Sequence, residues 1–160
     1  MEHVRSTAPD QPHCLFEPEG EQPHSREMLL RYRDNERLCL LNRYPYANGH
    51  LLIAPIRHVP CITELKPAEL TAVNDLVQRA TGILIEELGP DGFNIGLNLG
   101  RVAGAGIDVH IPYHFVPRWQ DDLNYMTVLA EIRTIPVHIE TTFDRLLPHF
   151  HLLHRTNQSQ

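Results

Sequence analysis

The residues with the greatest chemical reach are His110 and His114, in His110-Ile111-Pro112-Tyr113-His114-Phe115-Val116. On an extended strand, positions i, i+2 and i+4 project to one side at about 6.8 Å per step, which predicts a common face for His110, Pro112 and His114. Imidazole titrates near neutrality and can bind, protonate or attack a phosphate. Two such rings just downstream of Gly100-Arg101-Val102-Ala103-Gly104-Ala105-Gly106, a loop that can approach a ligand closely, suit polyanion chemistry. The same spacing also describes two half-buried strand histidines that bind nothing.

Something must hold that segment, and the hydrophobic pattern supplies the elements. Met28–Tyr32 and Leu38–Asn42 are short β-compatible runs around the polar turn Arg33-Asp34-Asn35-Glu36, which predicts a hairpin. After Tyr44-Pro45-Tyr46-Ala47-Asn48-Gly49, the apolar run His50–Pro55 predicts a third strand buried on both faces, with His50 as packing. Leu65, Leu70, Val73, Leu76, Val77, Ala80, Ile83, Leu84 and Leu88 recur at three-and-four spacing and predict a helix lying on one sheet face. Pro67 suits its first turn, Glu69 the positive end of its dipole, and Gly89-Pro90 its stop, while Glu69, Asp75, Glu86 and Glu87 form a solvated face. Phe93–Leu99 alternates as a half-buried strand, Val109–Val116 is the next strand, and a closing helix is expected around Ile139–Leu147.

The organisation that follows is an N-terminal arm over 1–26, a domain over 27–150, and a polar tail over 151–160. Prolines at 9, 12, 18 and 23 keep the arm from burying enough apolar surface to order itself unless something pins it. Its apolar part is Cys14-Leu15-Phe16. His149, His151 and His154 fall near the tail and carry no assigned role.

Composition removes whole classes of function. With 160 residues and 42% hydrophobic content the chain can bury a core without staples. A formal net charge of −6 supplies no basic field for nucleic acid. Three irregularly spaced cysteines, Cys14, Cys39 and Cys61, argue against a disulfide framework and for a reducing cytoplasm, with Cys39 and Cys61 as core residues. No apolar run reaches the roughly 18 residues of a membrane span, and the first residues show no signal-peptide core.

Four stretches carry a resemblance. They are Leu40-Leu41-Asn42-Arg43-Tyr44-Pro45-Tyr46 through Gly49-His50-Leu51-Leu52-Ile53-Ala54-Pro55; Arg57-His58-Val59; Asn94–Gly100 with Ala103-Gly104-Ala105-Gly106; and His110-x-x-x-His114-Phe115-Val116-Pro117-Arg118-Trp119. Together they resemble the histidine triad (HIT) superfamily of nucleotide hydrolases and transferases, over roughly residues 14–150. The variants here are most similar to the bacterial branch related to diadenosine tetraphosphate phosphorylases. The resemblance implies an α+β, HIT-like fold: a mainly antiparallel five-stranded sheet with one long helix and a C-terminal helix, forming a homodimer with a continuous sheet.

By the same resemblance, Asn42 would bond the ribose hydroxyls, Asn98 and the Gly104–Gly106 backbone would hold phosphate, and His114 would donate to a phosphate oxygen. Trp119 would border the nucleotide or the dimer contact. Each also has a plain structural role open to it: a turn-former, a strand-end cap, a flexible loop, ordinary packing. The family's middle histidine is the nucleophile that takes the nucleotidyl group, and here that position is Pro112, which has no imidazole and no backbone N–H. Many relatives also bind zinc, and the matching positions are Cys14, Glu17, His58 and His110, a mixed S, O, N, N set.

Three functions follow as expectations. The first is binding of a purine nucleotide or dinucleoside polyphosphate with covalent nucleotidyl-histidine catalysis lost or strongly reduced. The second is turnover by a non-covalent route in which His114 is the acid or base. The third is a metal-stabilised dimeric scaffold with a vestigial pocket.

Overall fold

The computed structural model describes Phe16, Arg26 and residues 29–103, 110–120 and 138–157. The hairpin forms as expected, one residue displaced at several ends: β1 is Leu30–Arg33 and β2 is Arg37–Leu41. Asp34 Oδ1 accepts the backbone N–H groups of Glu36 and Arg37, each at 2.9 Å, which closes the turn. The pairing shifts between Leu30 and Tyr32, so Arg31 sits in a bulge. Its guanidinium is turned inward over the Phe143 ring, and burial lowers its pKa to about 9.

β3, Leu51–Pro55, is buried at every residue, as its unbroken apolar run predicts. A single 3-10 turn at Ile62–Glu64 leads into the long helix α1, Pro67–Leu88. Pro67 does occupy the first turn, and the Glu69 carboxylate accepts the Lys66 backbone N–H at 2.8 Å. Gly89 ends the helix in the left-handed conformation that costs glycine least. Val73, Leu76, Ala80, Ile83 and Leu84 form the buried stripe, while Leu70 is exposed.

The acidic face of α1 is not the free solvated face expected. Glu69 holds Arg57 through both oxygens, Asp75 holds Arg37 at 2.7 Å, and Glu87 holds Arg145 and His149. Arg37 also donates to Asp34 and to the Ala72 carbonyl, fastening the hairpin to α1.

β4 is Gly92–Leu97 and β5 is Tyr113–Arg118, so the latter strand starts four residues later than its apolar pattern suggests. Proline is the physical reason. Pro112 lies opposite the last β3 positions, lacks an N–H to give, and the β3–β5 ladder ends at Ile53↔Tyr113. The sheet order is β1-β2-β3-β5-β4, with all neighbours antiparallel.

The last helix, α2, is Ile139–Asn157, and runs through Pro148 into the stretch expected as tail. An internal proline costs a helix roughly 3 kcal/mol, but Phe150 beyond it is fully buried and Leu153 packs on the same cluster. Continuing the helix buries both.

The two sheet faces differ. Leu51, Ile53 and Phe115 point toward α1 and α2 and form the main core with Phe143, Leu146 and Phe150. Leu30, Leu38, Leu40, Leu52 and Ala54 point the other way and are covered at one end by Phe16, two residues past Cys14. Cys39 is buried in the main core, as expected; Cys61 is only half-buried, with Sγ accepting the Thr63 hydroxyl at 3.1 Å. No helix among the described residues is long and apolar enough to cross a membrane.

Candidate nucleotide site on the open sheet face

Register puts the site together. His114 pairs with Leu52 on one side and Gly96 on the other, so its ring stands on the face away from the helices. His50, two residues before Leu52, and Asn42, two after Leu40, share that face because side chains alternate along a strand. Gly96 has no side chain, and a Cβ there would meet nothing within 4 Å, so space is open beside the His114 ring.

The polar groups form a chain. The Tyr46 backbone N–H donates to His50 Nδ1 at 3.1 Å, and Asn42 Nδ2 approaches the same atom at 3.3 Å. His50 Nε2 then lies 3.2 Å from His114 Nδ1, and His114 Nε2 lies 3.5 Å from Asn98 Nδ2. A backbone amide can only donate, so His50 Nδ1 accepts and its proton sits on Nε2. His50 Nε2–H therefore donates to His114 Nδ1, which places the proton of neutral His114 on Nε2; the neighbouring Asn98 Nδ2 is itself a donor and does not take that proton. The tautomer is fixed by a backbone amide in the loop between β2 and β3.

Burial favours the neutral rings. It pushes His50 down to about 3, helped by the adjacent His114, and burial likewise lowers His114. The Tyr46 ring, largely exposed, lies 4.9 Å from His50 and is nearly parallel to His114 at 6.3 Å. A neutral imidazole with its N–H outward is a hydrogen-bond donor to an anionic oxygen.

The expectation that His50 is mere packing is thus corrected: it is fully buried, but as the middle of a polar relay. Only the parity of Leu52 against His114 could have shown this from sequence, and parity needs the register. Asn42 is a turn-former, its Oδ1 accepting the Tyr44 N–H at 3.0 Å, while its Nδ2 faces His50. Trp119 lies just past β5, about 17 Å of strand length from His114, and is not gathered with the array. Gly104 and Gly106 lie outside the described residues.

His110 is held quite differently. It is 2% exposed, its Nε2–H donates to the Pro55 carbonyl at 2.6 Å, and its ring lies 4.7 Å from Phe16 and 5.0 Å from His58. His58 is exposed in the loop after β3. Of the four expected metal ligands, His58 and His110 are therefore adjacent, and Cys14 and Glu17 lie outside the described residues. No group of three His, Cys, Asp or Glu side chains able to hold a metal occurs among the described residues. The donors fit zinc where they can be seen: two imidazoles in contact, one oriented by a backbone carbonyl as metal-bound histidines commonly are.

Comparison with known proteins agrees with this geometry. A HIT domain profile matches residues 26–121. The chain is 34% identical over 137 residues to an AP-4-A phosphorylase of Mycobacterium tuberculosis, covering 86% of this chain and 68% of that protein. It is 34% identical over 103 residues to an adenylylsulfatase of Arabidopsis thaliana, covering 64% of this chain and 50% of the other. Among solved structures, a zinc-bound histidine triad family protein from Mycobacterium smegmatis superposes with a TM-score of 0.64 at 27% identity, covering 80% of this chain and 87% of that one. The fold is the α+β HIT fold, and the chain belongs to the HIT domain family.

Proposed function

We propose that this protein binds purine nucleotides or dinucleoside polyphosphates on the open sheet face and does not form the nucleotidyl-histidine intermediate of its lineage. One observation carries the reading: a donor relay, Asn42–His50–His114, with Asn98 Nδ2 as a second donor beside it, stands next to a proline where the lineage has its nucleophile. Proline offers no lone pair for attack on phosphorus. Asn42 bonds the ribose hydroxyls, Asn98 and the Gly104–Gly106 backbone take phosphate, and His114 donates Nε2–H to a phosphate oxygen. The relatives, an AP-4-A phosphorylase and an adenylylsulfatase, support adenylyl compounds as the ligand class.

Two further parts belong to this reading. Zinc held by Cys14, Glu17, His58 and His110 would pin the N-terminal arm and supply folding energy rather than chemistry at phosphorus. Two copies join along β4, an edge strand that leaves Ile95 45% exposed, and sedimentation of the purified chain as a single protomer would remove this part.

The test compares the protein with its Pro112→His variant against ADP, ATP and diadenosine tetraphosphate, with and without phosphate, with products separated by chromatography. Nucleotide binding without turnover in the parent, and turnover only in the variant, is the expected result. Absence of binding in the parent sinks the reading. Turnover by the parent moves it to a non-covalent route assisted by His114 as acid or base, which a single inversion at phosphorus would identify.

A further inference from the structure

Three parts of the relay, Asn42, the Tyr46 N–H and His50, lie on or beside one irregular loop, and that loop is gripped from behind. Gly49 has φ +74, and a Cβ there would fall 2.5 Å from Leu88 Cδ1 and 3.5 Å from Pro117 Cγ, so the backbone rests directly on the end of α1 and on β5. The second grip comes from α2. Thr142, 3% exposed, donates its hydroxyl to Asn48 Oδ1 at 2.6 Å, across 94 residues of chain. Thr71 and Thr81 of α1 behave otherwise, each giving its hydroxyl to the carbonyl four residues back, at 2.9 and 2.8 Å. Thr142 alone of these three reaches out of its helix. With Ile139 it also lines a small cavity shared with Leu41, Asn42, Pro45 and Asn48.

We propose that Thr142 is a positioning residue for the nucleotide site: by fixing Asn48 it holds the 42–50 loop so that the Tyr46 amide meets His50 Nδ1. This rests on the nucleotide reading above for its ligand, but not for its geometry. Asn48 is followed within two residues by His50, whose own N–H donates to the Ala47 carbonyl at 3.2 Å, so a fixed Asn48 fixes the turn around it. The turn aims the amide, the amide sets the His50 tautomer, and that tautomer leaves His114 presenting Nε2–H. A helix at the far end of the chain thereby sets the protonation pattern of the site.

The test uses Thr142→Val, which keeps the volume and removes the donor, and Thr142→Ser, which keeps the donor. Histidine-ring 15N signals are recorded without ligand, and AMP affinity is measured by calorimetry. Thr142→Val is expected to weaken AMP binding about five- to tenfold, the cost of a buried hydrogen bond expressed as affinity. It should also replace the single fixed tautomer pattern of His50 and His114 with averaged signals. Thr142→Ser restores both. Should Thr142→Val fail to fold, Asn48→Ala, in the half-buried loop, is expected to give the same two changes. Parent-like ring signals in a folded variant lacking the bond overturn the proposal. If the parent itself binds no AMP, the nucleotide reading falls, and the ligand-free ring signals alone decide the role of Thr142.

Discussion

His110 and His114 stand four residues apart on either side of Pro112, and their surroundings are opposites. His110 is enclosed by Phe16, His58 and the Pro55 carbonyl, outside any strand. His114 is half-buried inside β5, with one ring nitrogen fed by His50 and the other turned to Asn98 and the open face. Pro112 makes the division, because it cannot extend the ladder and the chain leaves the sheet before it. The same residue type thus serves packing on one side and a directed proton on the other. What decides is where the second nitrogen goes: to a backbone carbonyl, or toward solvent.

The largest expected effect that would break this contrast comes from alanine at each ring. His110→Ala should lose about 2–4 kcal/mol in urea unfolding, from a buried cavity and an orphaned Pro55 carbonyl, with modest change in nucleotide affinity of the folded protein. His114→Ala should lose under about 1 kcal/mol in stability yet weaken AMP binding at least about tenfold, since a donor to a charged oxygen is gone. Similar stability losses in both variants would end the distinction.

Metal removal sharpens it. Treatment with a zinc chelator should lower the Tm of the parent and of His114→Ala by several degrees, and leave His110→Ala unchanged, because the metal's free energy of binding is folding free energy. A parent with no bound zinc by elemental analysis and no shift on chelation would remove zinc from the account.

The smallest effect is a slope. His50 and His114 stay neutral in the fold at pH values where unfolded imidazole, near 6.5, takes a proton, so the unfolded state binds more protons and stability rises with pH. Stability should therefore fall as pH drops below about 6.5, and for His50 the loss continues toward its folded value of about 3. The full slope for one such group is about 1.4 kcal/mol per pH unit, and the half-buried His114 contributes less. His50→Asn should flatten the curve of urea midpoint against pH between about 6 and 4. Parallel curves for variant and parent would show that His50 is not the group responsible.

Much of the fold was legible because periodicity is a local property. The stripe Val73–Leu84 and the Pro67 and Gly89 boundaries give α1 without reference to anything else, and the run Leu51–Pro55 gives a doubly buried strand. The chain's errors of reading came where two local signals compete with a distant one. Pro148 predicts the end of a helix, yet Phe150 and Leu153 carry α2 nine residues further because the core accepts them. Glu87 looks solvated on α1 until α2 brings Arg145 and His149 to it.

By itself, the sequence determined the elements, the family, the glycine at 49 and the loss of an imidazole at 112, all of which depend on residue type and near neighbours. Only the tertiary structure decided that His50 touches His114, that His110 is sealed while His114 is aimed, and that Thr142 reaches Asn48. Those contacts join positions 64, 55 and 94 residues apart. Strand register and helix docking set them, and both are fixed by the burial of the whole core rather than by any stretch of chain.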